Sequence, residues 1–358
     1  MDKAGNNKTL TGLFVSAQGL AWSPGGSEVW FTGTTSGSSR ELRAVTLSGK
    51  ERLIYLGTGT LTLHDIFKDG RVLFSRDDLR AGMIGLAPGE SKERDLSWHD
   101  WSVARDLSDD GKLVSFDETG EAGGETGALY VRRTDGSPAV RIGDGHNPSL
   151  SPSGDQVLAR SFALQHGHGL LDVPTGAGES RTISTGEAEV QRAYFFPDAK
   201  RILELGSATG SHALRLWVQN SEGGAPRAIS PEGVTVPYRG CISSDGKWVA
   251  AGDPQGKITL YPVDGGTAMV VPNVQSGDVP VHWTPDGKAL LVGRREVPIR
   301  LFTIDLASGE RKLFKTVSPG DPTGLFSSAP PQFSRDLKTY VYSYQRMTSD
   351  LYVVDGLK

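Results

Sequence analysis

The sequence predicts an all-β fold made of repeated four-stranded units, a single β-propeller, and three observations carry that expectation. Glycine and proline number 46 and 20 among 358 residues, about 18% of the chain against roughly 12% in ordinary globular domains, as a turn-rich architecture requires. One short phrase recurs eight times along the chain. The two ends, finally, each look like part of one unit.

The phrase reads apolar, Ser or Thr, Pro or Asp, Asp, Gly, Lys, and is followed by apolar residues. It occurs at Trp22–Gly26, Ile66–Gly70, Leu107–Gly111, Leu150–Gly154, Phe195–Ala199, Ile242–Gly246, Trp283–Gly287 and Phe333–Leu337. Its fifth positions are 26, 70, 111, 154, 199, 246, 287 and 337, and they follow one another at steps of 44, 41, 43, 45, 47, 41 and 50. Such a period is the size of a propeller blade. An Asp-Gly or Ser-Gly pair supplies the positive φ of a tight turn, so each phrase is expected to join the first two strands of a unit as a hairpin.

Later strands of the unit are marked by β-rich runs that end in a Gly turn. Leu129-Tyr130-Val131 precedes Asp135-Gly136, Ile258–Tyr261 precedes Asp264-Gly265, Leu301–Asp305 precedes Ser308-Gly309, and Leu351–Val354 precedes Asp355-Gly356. The last unit stops where a fourth strand should begin, while the segment around residues 7–13 looks like an unattached opening strand. The expectation is one domain over residues 1–358, with eight blades. The N-terminal strand, about 7–13, would complete the last blade, about 328–358, and so cover an open edge. A seven-bladed ring, with one phrase read as a loop, is the alternative.

Composition bounds the function. Lys and Arg number 38 and Asp and Glu 42, a formal charge of −4, too little positive charge to hold nucleic acid or an anionic membrane by electrostatics. One cysteine, Cys241, rules out an intrachain disulfide and a multi-cysteine metal knuckle. No signal-peptide core is seen near the start, and no stretch reaches the roughly eighteen consecutive apolar residues of a membrane span. The expected partners are therefore a protein, a peptide or a small ligand, with no nucleic acid and no membrane insertion.

Familiar catalytic signatures are absent from the sequence: no Gly-x-Ser-x-Gly elbow, His-Glu-x-x-His pair, phosphate-binding loop or kinase triplet. His166-x-His168 has a metal-like spacing, but its glycine neighbours favour a solvated loop. No cofactor and no metal is expected. Trp98 and Trp101, around His99-Asp100, could be a recognition patch or a plug between blades.

Two columns of the repeat say more. Four residues before the turn position stand Trp22, Ile66, Leu107, Leu150, Phe195, Ile242, Trp283 and Phe333, all apolar, so these side chains should pack between blades. One residue earlier stand Ala21, Asp65, Asp106, Ser149, Tyr194, Cys241, His282 and Gln332, a far more polar series on the opposite face of the innermost strand. Just upstream lie His64, Arg105, Arg192 and Arg239. The candidate ligand site is thus the mouth of a central channel, lined by Asp65, Asp106, Tyr194, His282 and Gln332 with Arg192 and Arg239 above them. The competing expectation is that these groups satisfy one another and channel water.

With the blade phrase in hand, the chain resembles the TolB-type, WD40-like propeller repeats of bacteria over essentially its whole length. Four stretches, Gly19–Gly26, Gly85–Glu90, Arg133–Arg141 and Ser349–Lys358, look like the C-terminal propeller region of bacterial eukaryotic-like serine/threonine protein kinases. That resemblance implies a sensor or protein-interaction module, extracytoplasmic where it belongs to a membrane-anchored kinase. It supplies no catalytic residue. The functional expectation is a non-enzymatic binding or scaffold module. A propeller enzyme using metal or His/Asp residues at the channel mouth is the runner-up, and a peptidase gating propeller without its hydrolase domain comes third.

Overall fold

The computed structural model describes residues 5, 7–35, 39–124, 126–161, 169–236 and 238–357; the His166-x-His168 spacing lies outside them. Where the sequence led to one ring over residues 1–358, the chain divides into two compact units, Met1–Arg80 with Arg346–Lys358, and Ala81–Gln345.

The first unit opens with an antiparallel meander of β1 (Ser16–Trp22), β2 (Glu28–Thr34), β3 (Glu41–Thr46) and β4 (Glu51–Tyr55). Next, β5 (Thr60–Ile66) pairs with the first part of β6 (Val72–Leu86), from Thr60 opposite Asp77 to Ile66 opposite Val72. These two sheets share a core of Trp30, Leu42, Leu61, Leu63, Val72 and Phe74. Gly19 sits at a bulge of β1 with φ +62°, so close to β5 that a Cβ there would lie 1.9 Å from the Leu63 carbonyl oxygen.

The second unit takes the end of β6, paired with β7 (Arg94–Asp95). Three four-stranded meanders follow. They are β8 (Ser102–Leu107), β9 (Leu113–Glu118), β10 (Ala128–Arg133) and β11 (Val140–Asp144); then β12 (His146–Leu150), β13 (Gln156–Arg160), β14 (Leu170–Pro174) and β15 (Arg181–Ile183). The third is β16 (Ala188–Phe195), β17 (Arg201–Ala208), β18 (Leu214–Asn220) and β19 (Arg227–Ala228).

The next sheet has three strands, β20 (Trp248–Gly252), β21 (Ile258–Pro262) and β22 (Met269–Val270). In place of its first strand are two isolated bridges, Thr235 to Gly252 and Ile242 to Val249, on either side of a 3₁₀ turn at Arg239–Cys241. A full meander comes next, β23 (Val279–Trp283), β24 (Ala289–Gly293), β25 (Ile299–Asp305) and β26 (Arg311–Val317). The final sheet of the unit joins β27 (Leu325–Ser328), β28 (Gln332–Phe333) and the first part of β29 (Tyr340–Val354) to the end of β6.

Strands of successive sheets are neighbours: β28 touches β8, β8 touches β12, β12 touches β16, and β20 touches β23. The Tyr194 hydroxyl on β16 donates to the carbonyl of Val236, 3.3 Å away in the segment ahead of β20. Phe333 on β28 meets His282 on β23 and Phe314 on β26 edge-on.

The closing strand expected at residues 7–13 does not form, since Lys8–Leu13 lies outside every strand. Lys8 instead donates its ammonium to the Leu47 carbonyl in the turn between β3 and β4. The strand it was to cover, Leu351–Val354, is the end of β29, a sheet neighbour of β6. Arg76 Nη2 meets Asp350 Oδ2 at 2.8 Å, and the Ser349 hydroxyl meets Asp77 Oδ1 at 2.8 Å. A strand from early in the chain thus already fills the edge.

Every phrase forms the expected hairpin turn, and its residues have local reasons. All eight fifth positions take positive φ, from +56° at Ala199 to +91° at Gly70, including the two that lack glycine. The Ser or Thr hydroxyl accepts the amide that re-enters the sheet, as from Trp248 to Ser243 at 2.9 Å and from Thr339 to Ser334 at 3.0 Å. It donates in turn to the Asp of the phrase, 2.7 Å from Ser243 to Asp245 and from Ser334 to Asp336. That Asp then accepts the Lys amide at 3.1 Å (Lys247) and 3.0 Å (Lys338). The phrase is turn chemistry.

The apolar column behaves differently in the two units. Leu107, Leu150, Phe195, Ile242, Trp283 and Phe333 are all buried in the second, whereas Trp22 in the first is 54% exposed. Trp22 lies outside the core that the two sheets of the first unit share. Among the described residues no helix is long and apolar enough to cross a membrane.

Candidate functional site

The polar column of the second unit converges at its first strands, with β-bulges deciding where its side chains point. Pairing slips by one residue between Ala104 and Asp106 on β8, between Val190 and Arg192 on β16, and between Pro280 and His282 on β23. A bulge adds a residue to one strand and re-aims the side chains beside it.

At one end stands Arg239, held by the 3₁₀ turn. Its Nε donates to Asp106 Oδ2 at 2.9 Å, Nη1 to Asp109 Oδ1 at 2.8 Å, and Nη2 to the Leu107 carbonyl at 2.8 Å. The Asp106 carboxylate accepts three further donors: the Ser149 hydroxyl at 2.9 Å, the Leu150 amide at 3.0 Å and the Leu107 amide at 2.8 Å. Burial opposes the charge of Arg239, but Asp106 and Asp109 more than offset it and raise its pKa. The Asp106 carboxylate is thereby hydrogen-bonded to near its capacity.

The turn carrying Arg239 packs directly on β23. A Cβ at Gly240 would lie 2.3 Å from the His282 ring and 2.7 Å from the Val281 carbonyl, so only glycine fits. His282 directs Nδ1 at the Trp283 carbonyl, and burial pushes its pKa down to about 4, leaving the imidazole neutral at pH 7. Asp106, Arg239, His282 and Gln332 all border a cavity of about 40 Å³. That is room for about one water.

Gln332 also borders a second cavity of about 250 Å³, together with Arg105, Arg192, Tyr238, Arg295 and Ser343. Arg105 Nε donates to the buried Asp117 carboxylate at 2.8 Å, and Arg192 hydrogen-bonds the Tyr194 hydroxyl. Tyr194 itself is buried, 4% exposed. Arg295, in the connection between β24 and β25, is exposed and makes no ion pair among the described residues.

Six of the seven expected site residues therefore lie in the second unit: Asp106, Arg239, His282 and Gln332 border the small cavity, Arg192 and again Gln332 border the large one, and Tyr194 borders neither. Asp65 does not join them: it is exposed in the first unit, where its carboxylate accepts the Ile66 amide at 2.8 Å. Arg105 and three other bordering residues with polar or charged side chains, Asp109, Tyr238 and Arg295, are among those outside the expected site. Asp109 lies inside the turn phrase, Tyr238 precedes the 3₁₀ turn, and Arg295 sits in a connection whose length varies between repeats. Trp98 is exposed under the Arg132 guanidinium, 5.4 Å from the ring centroid, and Trp101 is partly buried.

No protein-family model and no curated protein matches the chain. Among solved structures, it is similar to a putative TolB from Agrobacterium tumefaciens, with TM-score 0.54 and 17% identity over 75% of this chain and 99% of that one. A TolB from Acinetobacter baumannii gives TM-score 0.43 and 13% identity over 92% and 63% of the two chains. An oligogalacturonate lyase in complex with manganese gives 0.45 and 13% over 85% and 90%. The first of these carries the TolB-like β-propeller fold, and the fold alone.

Proposed function

We propose that the chain is a non-enzymatic binding module, a protein-interaction propeller in which the six sheets of the second unit close on one another. The other two of the eight repeats form the first unit. In this reading the 250 Å³ cavity receives a partner's loop, a peptide or a small ligand. One observation carries it: a cavity of about 250 Å³, lined by residues of several sheets, shares Gln332 with a smaller cavity bordered by the Arg239–Asp106–Asp109 network. A cavity walled by rigid sheets holds a ligand without a large ordering cost. The groups of the smaller cavity best suited to acid–base chemistry, His282 and Asp106, are already committed to partners within the chain.

A sensor role beside a membrane-anchored bacterial kinase, with the propeller outside the membrane, extends the same reading and is supported by the four kinase-propeller-like stretches. Selection of a displayed random-peptide library on the immobilised full chain tests the binding module. Ala329→Trp fills the large cavity with no change of charge, and selected peptides should lose at least tenfold in affinity for it. Undiminished binding to that variant would place the binding surface elsewhere.

A further inference from the structure

The large cavity has a charge pattern that a generic peptide groove does not require. Three of its bordering side chains are arginines, Arg105 from β8, Arg192 from β16 and Arg295 from between β24 and β25, contributed by alternate sheets of the second unit; among the described residues no carboxylate borders it. Arg105 is held by the fully buried Asp117, whose carboxylate accepts its Nε at 2.8 Å and the Asn147 amide at 2.9 Å. Tyr238 and Gln332 add polar groups to the wall.

Guanidinium forks in a confined, partly desolvated space favour planar or tetrahedral oxyanions, which they bind bidentately. Like charges brought together without a ligand repel, so the arrangement gains most when an anion bridges them. The volume suits a molecule of about ten non-hydrogen atoms, and the mixed wall suits one that carries hydroxyl as well as anionic groups.

We infer that the cavity bordered by Arg105, Arg192 and Arg295 binds a small multivalent oxyanion, a polycarboxylate or a phosphate compound, the shared chemistry being two or more anionic oxygens held between arginines of different sheets. This rests on the reading of the cavity as the ligand site of a binding module, and it names the class of ligand.

The test is calorimetric titration of the full chain with citrate and, separately, with inorganic phosphate, each at 20 and 200 mM added sodium chloride. Binding of either anion, weakened at least fivefold by salt, is expected. Citrate alone points to a carboxylate source, phosphate alone to a phosphate source, and binding of both to the shared oxyanion chemistry. Arg295→Gln, an exposed side chain without an ion pair, should keep the wild-type melting temperature and weaken binding about tenfold. Arg192→Gln should do the same to affinity, read alongside its own melting curve because Arg192 also holds Tyr194. Binding of neither anion overturns the inference, as does unchanged affinity in Arg295→Gln. Peptides that bind wild type and fail on Ala329→Trp, with no anion binding, would overturn the oxyanion assignment and leave the binding module standing.

Discussion

Arg239 and Asp106 stand 133 residues apart in sequence, and Nε of one lies 2.9 Å from Oδ2 of the other. Two complete sheets, β12–β15 and β16–β19, come between them along the chain. Only when the first strands of all these sheets converge can a side chain ahead of β20 reach β8. The pair thus ties together elements that share no backbone pairing.

Removing either partner takes from a buried charge one of its principal counter-charges, a change that typically costs up to about 3–5 kcal/mol. Arg239→Ala and Asp106→Ala should each lower the stability of the full chain by that order in urea unfolding. Arg239→Lys should not rescue it, because one ammonium cannot serve Asp106, Asp109 and the Leu107 carbonyl along three fixed directions. A lysine variant as stable as wild type would mean that the pair contributes charge alone.

Ala199 occupies a turn position that is glycine in six of eight repeats and keeps φ at +56°. A left-handed conformation costs an L-residue roughly 1–2 kcal/mol, partly offset by the entropy glycine loses on folding. Because Ala199 is exposed, Ala199→Gly should stabilise by about 0.5–1 kcal/mol, read as a higher urea midpoint with unchanged slope. A lower midpoint would show that the turn is held by contacts outside the phrase.

Glu204 lies buried in the middle of β17, where Oε1 accepts the Gln219 amide at 2.7 Å and Oε2 finds no hydrogen-bond partner among the described residues. Burial pushes its pKa up to about 8 from an ordinary 4.5. Between those values the folded chain keeps a proton that the unfolded chain has lost. Its contribution is therefore full below about pH 4.5 and disappears as pH rises through about 8. Glu204→Gln, neutral at every pH, should gain on wild type by at least about 1 kcal/mol at pH 9 relative to pH 5. Parallel pH dependences of unfolding for the two proteins would remove Glu204 as the cause.

The turn carboxylates act in the opposite sense. The hydroxyls of Thr284 and Ser334 hold the carboxyls of Asp286 and Asp336 below the usual range, with the Lys288 and Lys338 amides adding to the effect. Stability from them is present above about pH 4 and is lost as pH falls through the lowered folded values. Combining Asp286→Asn with Asp336→Asn should make the loss of stability between pH 4 and pH 2.5 shallower than in wild type. An equally steep acid transition would assign the acid sensitivity to other groups.

The sequence by itself determined the hairpins, their turn chemistry and the all-β class, because each is written within about five residues. Ser243, Asp245, Gly246 and Lys247 satisfy one another without reference to the rest of the chain. It also placed Asp106, His282 and Gln332 at first strands, where alternation of apolar and polar residues is a local signal. Tertiary structure alone decided what a strand edge pairs with, since backbone amides and carbonyls are the same in every strand: β29 takes β6, and residues 7–13 are left outside the sheets. It decided which arginines face a cavity too. A one-residue bulge in β8 brings Arg105 toward the side that strict alternation gave to Asp106 alone, and Arg295 reaches the same space from a connection that no repeat column could register.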